Sequence, residues 1–294
     1  MSIQTATTGQ LENAQRIIIA NTLFTAEHNR PTANLLTPFT LGQGEKTLTV
    51  PKVAQFTAAR LTDGVDMTEE QAIGMTTFDV STTEVGLKVI LTDKLARQEN
   101  ESVYTIVGKQ AGDAMGRFME RDAITLFSAL NGGTTLGADN KFLDLGNLAA
   151  CINHAQANKF GSDLVIIHHP NALFEVVSRQ VIGIIGTNPR WTAPSLDFAR
   201  NLLERFYEFS VNNVPVFQTG EIDKISGVDS GYGAIFDRGA LGLLTQKGLS
   251  TETQRDASYR ATELVTVADY QPFEVDDARG APMRYEIGAV TTST

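Results

Sequence analysis

The chain has 294 residues with 24 Lys+Arg against 34 Asp+Glu, a formal charge of -10. That balance argues against a surface built to neutralise phosphates, and so against sequence-specific nucleic-acid binding. One cysteine, Cys151, permits no intrachain disulfide, fits a reducing birthplace, and reads as a small buried residue on a helix. No apolar run is long enough to span a bilayer, and Ile17-Ile18-Ile19-Ala20 is too short and too poorly flanked by basic residues for a signal peptide.

Residues 1–41 pass from a polar lead through a short helix at 11–27 and thin out around Pro31 and Pro38. They read as an arm with little capacity to bury itself in its own domain. From Gly42 to Asp93 the period changes to two. Thr47-Leu48-Thr49-Val50 runs up to Pro51, and Phe78, Val80, Val85, Leu87, Val89 and Leu91 alternate with polar residues. Between them, Asp63-Gly64-Val65-Asp66 and Thr68-Glu69-Glu70 form a solvated tip. A lone hairpin is marginal in water, so this excursion should lean on something outside its own fold, with a partner surface as the natural candidate and its own core as the alternative.

Residues 101–130 are predicted as one helix, roughly 45 Å long at 1.5 Å per residue. Asn100 and Ser102 offer capping oxygens, Glu99 and Glu101 put negative charge on its positive end, and Asn131-Gly132-Gly133 supplies a left-handed stop. Val103, Val107, Ala111, Ala114 and Phe118 form an apolar stripe in the first half. Met119, Ala123, Leu126 and Leu130 lie about a third of a turn or more away, so the halves should pack on different partners. Gly108, Gly112 and Gly116 form a ridge without side chains, each costing about 1 kcal/mol relative to Ala. The ridge marks either the close approach of another backbone or a helix that bends.

An amphipathic helix at 145–158, a buried strand at 163–167 and a helix opened by Pro170 follow. Residues 182–194 are loop-like, 196–209 amphipathic, and 214–217 a strand. Residues 229–233 read as a turn before a buried strand at 234–236. This alternation describes a mixed α/β subdomain over 144–240. The remainder is β in flavour, with strands at 241–244, 264–268 and 285–290 and turns at Asp276-Asp277 and Arg279-Gly280-Ala281-Pro282. It should return to the long helix.

Motifs for chemistry are sparse. His168-His169 ends a buried strand, but adjacent strand residues point to opposite faces and do not converge on one metal; no HExxH or Cys/His cluster accompanies them. His28 and His154 have no acidic or cysteine partner at ligand spacing and read as solvated or structural. Gly227-Val228-Asp229-Ser230-Gly231 lacks the glycine a nucleophile elbow requires. Gly42-Gln43-Gly44-Glu45-Lys46-Thr47 lacks the first glycine of a phosphate loop, and there is no GxGxxG, so no nucleotide cofactor is indicated.

Thr49-Val50-Pro51, Leu61-Thr62-Asp63-Gly64 ahead of the tip, residues 85–93 and the helix end at 126–133 occur in a telling order. Gly233-Ala234-Ile235-Phe236, residues 252–256 and Thr262-Glu263-Leu264-Val265 continue it. In this order and spacing the chain resembles, over nearly its whole length, the major capsid protein of tailed bacteriophages, the Hong Kong 97-type fold.

The resemblance implies an α+β fold with an N-terminal arm (1–41), an extended β-hairpin loop (42–92), a peripheral domain with a long spine helix (93–143 and 241–294) and an axial α/β domain (144–240). It implies hexamers and pentamers closing into an icosahedral shell around double-stranded DNA, in a virion assembled in the host cytoplasm. There would be no catalytic residues, cofactor or metal. Gly108, Gly112 and Gly116 are the hinge or close-packing candidates. The implied partners are further copies of the chain, a scaffolding protein, a portal and a decoration protein. Some members carry a long helical scaffolding segment that is removed, whereas this chain has a short lead, so no N-terminal cleavage and a separate scaffolding protein are expected. Some members crosslink through a Lys-Asn isopeptide; Lys46, Lys52 and Lys88 lie in the loop region, and a non-covalent shell is the expectation. The same fold occurs in encapsulins, the nearest alternative. An α/β enzyme using His168 or His169 is the alternative of another class.

Overall fold

Leu164-Val165-Ile166-Ile167 carries four consecutive apolar side chains, which a strand covered on both faces can bury. The computed structural model, which describes residues 31–53, 60, 63, 74–94, 101–176 and 209–290, places them in the interior of a six-stranded sheet. The sequence-predicted helix at 11–27, most of the loop tip, the loop at 182–194, most of the segment at 196–209 and the capping residue Asn100 lie outside the described residues.

The six strands are β5 (Leu136–Gly137), β6 (Leu164–His168), β7 (Phe209–Val211), β8 (Val214–Gln218), β9 (Ser230–Asp237) and β12 (Gly280–Glu286), in the order β5-β12-β9-β6-β8-β7. β6 runs parallel to β8 and antiparallel to β9. The helix Leu145–Ala157, α2, covers one face through Leu148, Cys151, Ile152 and Ala155, the spacing of one helical side, against Leu164, Ile166 and Ile235. Its first turn is capped by Asp144, which accepts from the Asn147 N–H at 2.6 Å.

Two expected turns are strands. Ser230 to Gly233 belongs to β9, and Gly280-Ala281-Pro282 opens β12, paired with Phe236-Ile235-Ala234. The glycines here answer crowding. A Cβ on Gly233 would lie 2.3 Å from the His168 ring and 2.5 Å from the Ile167 carbonyl. The last strand ends at Glu286, short of the predicted 285–290.

A second sheet orders β1 (Thr37–Thr40), β10 (Leu241–Asp256), β11 (Ala261–Glu274) and β4 (Thr83–Thr92) as β1-β10-β11-β4. Along β4 the period of two holds: Val85, Leu87 and Val89 are half-buried and Leu91 buried, while Glu84, Gly86, Lys88 and Ile90 are exposed. The arm departs from its expectation. Thr32, Ala33, Leu36 and Leu41 are buried, and β1 pairs parallel with Gly242 to Thr245 of β10, so residues 31–41 do bury themselves against their own sheet.

The long helix, α1 (Glu101–Thr125), is about 37 Å long at 1.5 Å per residue and gives way to a 3-10 turn at Leu126–Ser128. The predicted single helix to Leu130 therefore ends earlier. The hydroxyls of Thr125 and Ser128 donate to the carbonyls of Asp122 and Thr125 and tighten the last turns. Asn131-Gly132-Gly133 does not cap the helix directly. Gly133 takes φ +110°, but the Asn131 and Gly132 N–H groups donate to the Asp277 and Gly280 carbonyls, docking the segment on the start of β12.

The predicted change of apolar face along α1 is also corrected. Gly108, Ala111, Gly112, Met115, Gly116, Met119, Glu120 and Ala123 are buried along one continuous side, whereas Ala114 and Phe118 are exposed. The halves still meet different partners. Met115 and Met119 pack on Ala268 and Tyr270 of the four-stranded sheet. Ala123, with Phe127 and Leu130 beyond the helix, packs on Val165, Ile167, Ala234 and Phe236 of the six-stranded one. One helical face thus bridges two sheets.

The excursion is a two-stranded sheet of β2 (Leu48–Val53) and β3 (Met75–Val80). Its base packs on its own core: Val50, Val80 and Phe78 lie against Leu244 and Phe273, the Phe78 and Phe273 rings meeting edge-on at 6.3 Å between centroids. At its root, then, the excursion leans on its own body.

Candidate functional site

Polar contacts tie the end of the arm to the long helix, and the hairpin to the turn between β11 and β12. Glu120 projects from the buried side of α1 and has no exposed surface. Its carboxylate accepts from the Thr32 N–H at 2.9 and 3.1 Å, from the Ala33 N–H at 3.3 Å and from the Thr32 hydroxyl. It so satisfies the unpaired donors at the start of the 3-10 turn Ala33–Leu35. Burial pushes its pKa up, and the donors from Thr32, Thr219 and Ala33 pull against that.

The β11–β12 turn is tied in three directions. Arg279 donates to Asp237 Oδ2 at 2.6 Å and to the Phe160 carbonyl at 2.8 Å. Asp276 Oδ1 accepts from the Ala278 N–H, as an N-cap does. Lys52 of β2 reaches across to Asp276 and Asp277 at 2.9 and 3.0 Å. Elsewhere Lys88 pairs with Glu263 at 2.6 Å, Arg255 with Asp93 through two bonds of 2.5 and 2.7 Å, and Tyr270 donates to Asp122 at 2.7 Å.

The sequence-predicted histidines do not form a reactive centre. His168 is fully buried, its Nδ1 accepts from the His169 N–H at 2.9 Å, and its ring meets Tyr285 edge-on at 6.0 Å. Burial pushes its pKa down to about 3, with His169 adding to the shift and the Met283 backbone opposing it, so the ring is neutral. His169 Nδ1 accepts from the Asn171 N–H, and burial and the Lys224 charge lower its pKa too. His168, sealed in the sheet, has no route to substrate, and His169 is half-buried beyond the strand's end. His154 is structural: its ring bonds the Gly132 carbonyl at 3.0 Å and packs on Phe160. Cys151 is buried 3.5 Å from the Tyr285 hydroxyl, and burial pushes its thiol pKa up, the opposite of an activated nucleophile. Ser230 is buried and accepts from the Asn140 N–H. Among the described residues no group of three or more His, Cys, Asp or Glu is placed to hold a metal, and no helix is long and apolar enough to cross a membrane.

Gly108, Gly112 and Gly116 all lie on the buried side of α1, interleaved with Ala111, Met115 and Met119. Sequence reasoning missed Glu120 and the Lys52 bridge. Glu120 had a signal: it follows Gly116 by four residues and precedes Ala123 by three, a carboxylate inside the side that packs. Lys52 had none, because its partners lie more than two hundred residues away, Asp277 at a separation of 225.

No family model matches the chain, and no curated protein does. Solved structures do match. The chain is similar to a structure from Mycobacterium phage Che8 at 14% identity and TM-score 0.64, covering 86% of this chain and 90% of that one. It is similar to the capsid of cyanophage Pam1 at 10% identity and TM-score 0.64, covering 87% and 90%. It is also similar to the holo-SrpI encapsulin complex from Synechococcus elongatus at 11% identity and TM-score 0.61, covering 91% and 92%. The chain thus has the α+β Hong Kong 97-type fold, shared across nearly the full length of each of these proteins.

Proposed function

We propose that the protein is a non-enzymatic shell subunit, the major capsid protein of a tailed phage, which assembles as hexamers and pentamers into an icosahedral shell around double-stranded DNA. The observation that carries this reading is the match over nearly the full length of capsid and encapsulin chains, at TM-scores of 0.61 to 0.64. The formal charge of -10 supports it, since a wall that encloses DNA without gripping its sequence has no need of a basic stripe. Further copies, a scaffolding protein, a portal and a decoration protein are the partners in this reading, and the virion is its location.

We assign residues 1–41 to an arm, 42–92 to an extended loop, 93–143 and 241–294 to a peripheral domain and 144–240 to an axial domain. Three pairings cross those bounds: β1 joins β10 and β4 joins β11 in the four-stranded sheet, and β12 joins β9 in the six-stranded one. Gly108, Gly112 and Gly116 serve close packing in this reading, supported by their burial beside Met115 and Met119.

Electron microscopy of the purified protein tests the reading: closed icosahedral particles are expected, and a chain that stays monomeric even with its scaffold present overturns it. The second reading, an encapsulin-type compartment, is favoured by the similarity to the SrpI encapsulin complex. Particle contents separate the two, since packaged double-stranded DNA supports the capsid and a protein cargo without DNA supports the compartment.

A further inference from the structure

The β2–β3 hairpin is attached to the body at two levels of different chemistry. The inner level is apolar: Val50, Val80 and Phe78 on Leu244 and Phe273, with Val50 and Val80 each 8% exposed. Among the described residues the outer level is one side chain. Lys52 lies two residues farther out, roughly 7 Å along the strand, and donates to Asp276 and Asp277 at 2.9 and 3.0 Å. Both acceptors are fixed by the body. Asp276 Oδ1 caps the Ala278 N–H, and the Asp277 carbonyl accepts from the Asn131 N–H at 2.9 Å. Glu274 brings a third carboxylate to the same turn, and its pKa is raised by burial and by Asp277, while Arg279 is engaged by Asp237. Thr76, paired with Lys52, is exposed, and Met75, one position farther out opposite Val53, is 59% exposed.

We propose that the Lys52 bridge to Asp276 and Asp277 is a releasable latch that sets the tilt of the hairpin. Closed, the hairpin is fixed at both levels; open, it pivots on the root of Val50, Phe78 and Val80. The two attachments fail under different conditions. The side chains of the bridge are 42%, 31% and 40% exposed, so water and salt compete for it, whereas salt does not weaken the buried apolar root. The latch goes beyond the shell reading and does not depend on it.

The test is a distance measurement in the full chain between spin labels on Met75→Cys, outward of Lys52 on the hairpin, and Ser128→Cys of the body, both exposed positions, with labelled chains diluted in unlabelled ones. Cys151 is buried and stays unlabelled. A narrow distribution is expected for the otherwise unaltered chain at low salt. It should broaden or shift in Lys52→Met, and in the unaltered chain at about 1 M salt, where screening shortens to about 3 Å. The swap Lys52→Asp with Asp277→Lys, which leaves the Asp276 cap in place, should recover the narrow distribution. An unchanged distribution in Lys52→Met overturns the latch. So does a swap that leaves it broad while amide-exchange protection across β10 and β11 stays native, because the effect would then not depend on the charge pair.

Discussion

The Thr32 N–H donates to Glu120 Oε2 at 2.9 Å, joining residues 88 apart in the chain and pinning the end of the arm to the long helix. The Ala33 N–H and the Thr32 hydroxyl add to the same carboxylate. Glu120→Ala leaves these donors buried without an acceptor and should cost about 2–3 kcal/mol. The measurement is denaturant unfolding, with amide exchange over residues 32–41 to locate the loss.

The same carboxylate gives a pH dependence of definite sign. Burial raises its folded pKa above the ordinary 4.5. Its contribution to stability is therefore fully present below that value and is lost as pH rises through the raised folded one. Glu120→Gln cannot titrate. The stability of the unaltered protein relative to Glu120→Gln should fall as pH rises through that window, and a flat difference would show that the donors offset the burial.

His168 works in the opposite direction. Its pKa is about 3 in the folded protein against an ordinary 6.5. Above 6.5 the ring is neutral in both states. Below it the unfolded chain takes up a proton that the folded one refuses, costing about 1.4 kcal/mol per pH unit down to the folded value. His168→Gln should remove that slope from the pH dependence of the unfolding midpoint between roughly pH 6.5 and 3.

Gly233 gives the imidazole its room. A Cβ there would sit 2.3 Å from the His168 ring and 2.5 Å from a carbonyl. Gly233→Ala should lose about 3 kcal/mol, read as a lower melting temperature or as insoluble protein.

Gly116 tests the close-packing role of the helix ridge. Gly116→Leu introduces bulk on the side facing the sheets and should cost about 2 kcal/mol. Lys109→Leu on the exposed side should stay within about 0.5 kcal/mol. Equal unfolding midpoints for the two would remove the packing role and leave bending as the account of the ridge.

Local pattern was enough where one element decides its own state. The buried run from Leu164 to Ile167, the alternation along Val85, Leu87, Val89 and Leu91, and the helix with its Leu148, Cys151, Ile152 and Ala155 side are legible because period and burial are written in consecutive residues. The order of these parts also carried the fold. Glycines misled where they were read as punctuation. Gly231, Gly233 and Gly280 lie within strands, where neighbouring groups leave no room for a Cβ.

The sequence by itself determined the elements, their order and an apolar content that has to be buried. The tertiary structure decided which surfaces meet. One helical face bridges two sheets, the last strand joins the six-stranded sheet, the end of the arm folds onto its own body, and Glu120 and Lys52 find partners 88 and 225 residues away. The physical reason is range. Periodicity reports which side of an element is apolar, but not which distant element arrives to cover it, and a buried carboxylate or a bridging lysine takes its meaning only from that arrival.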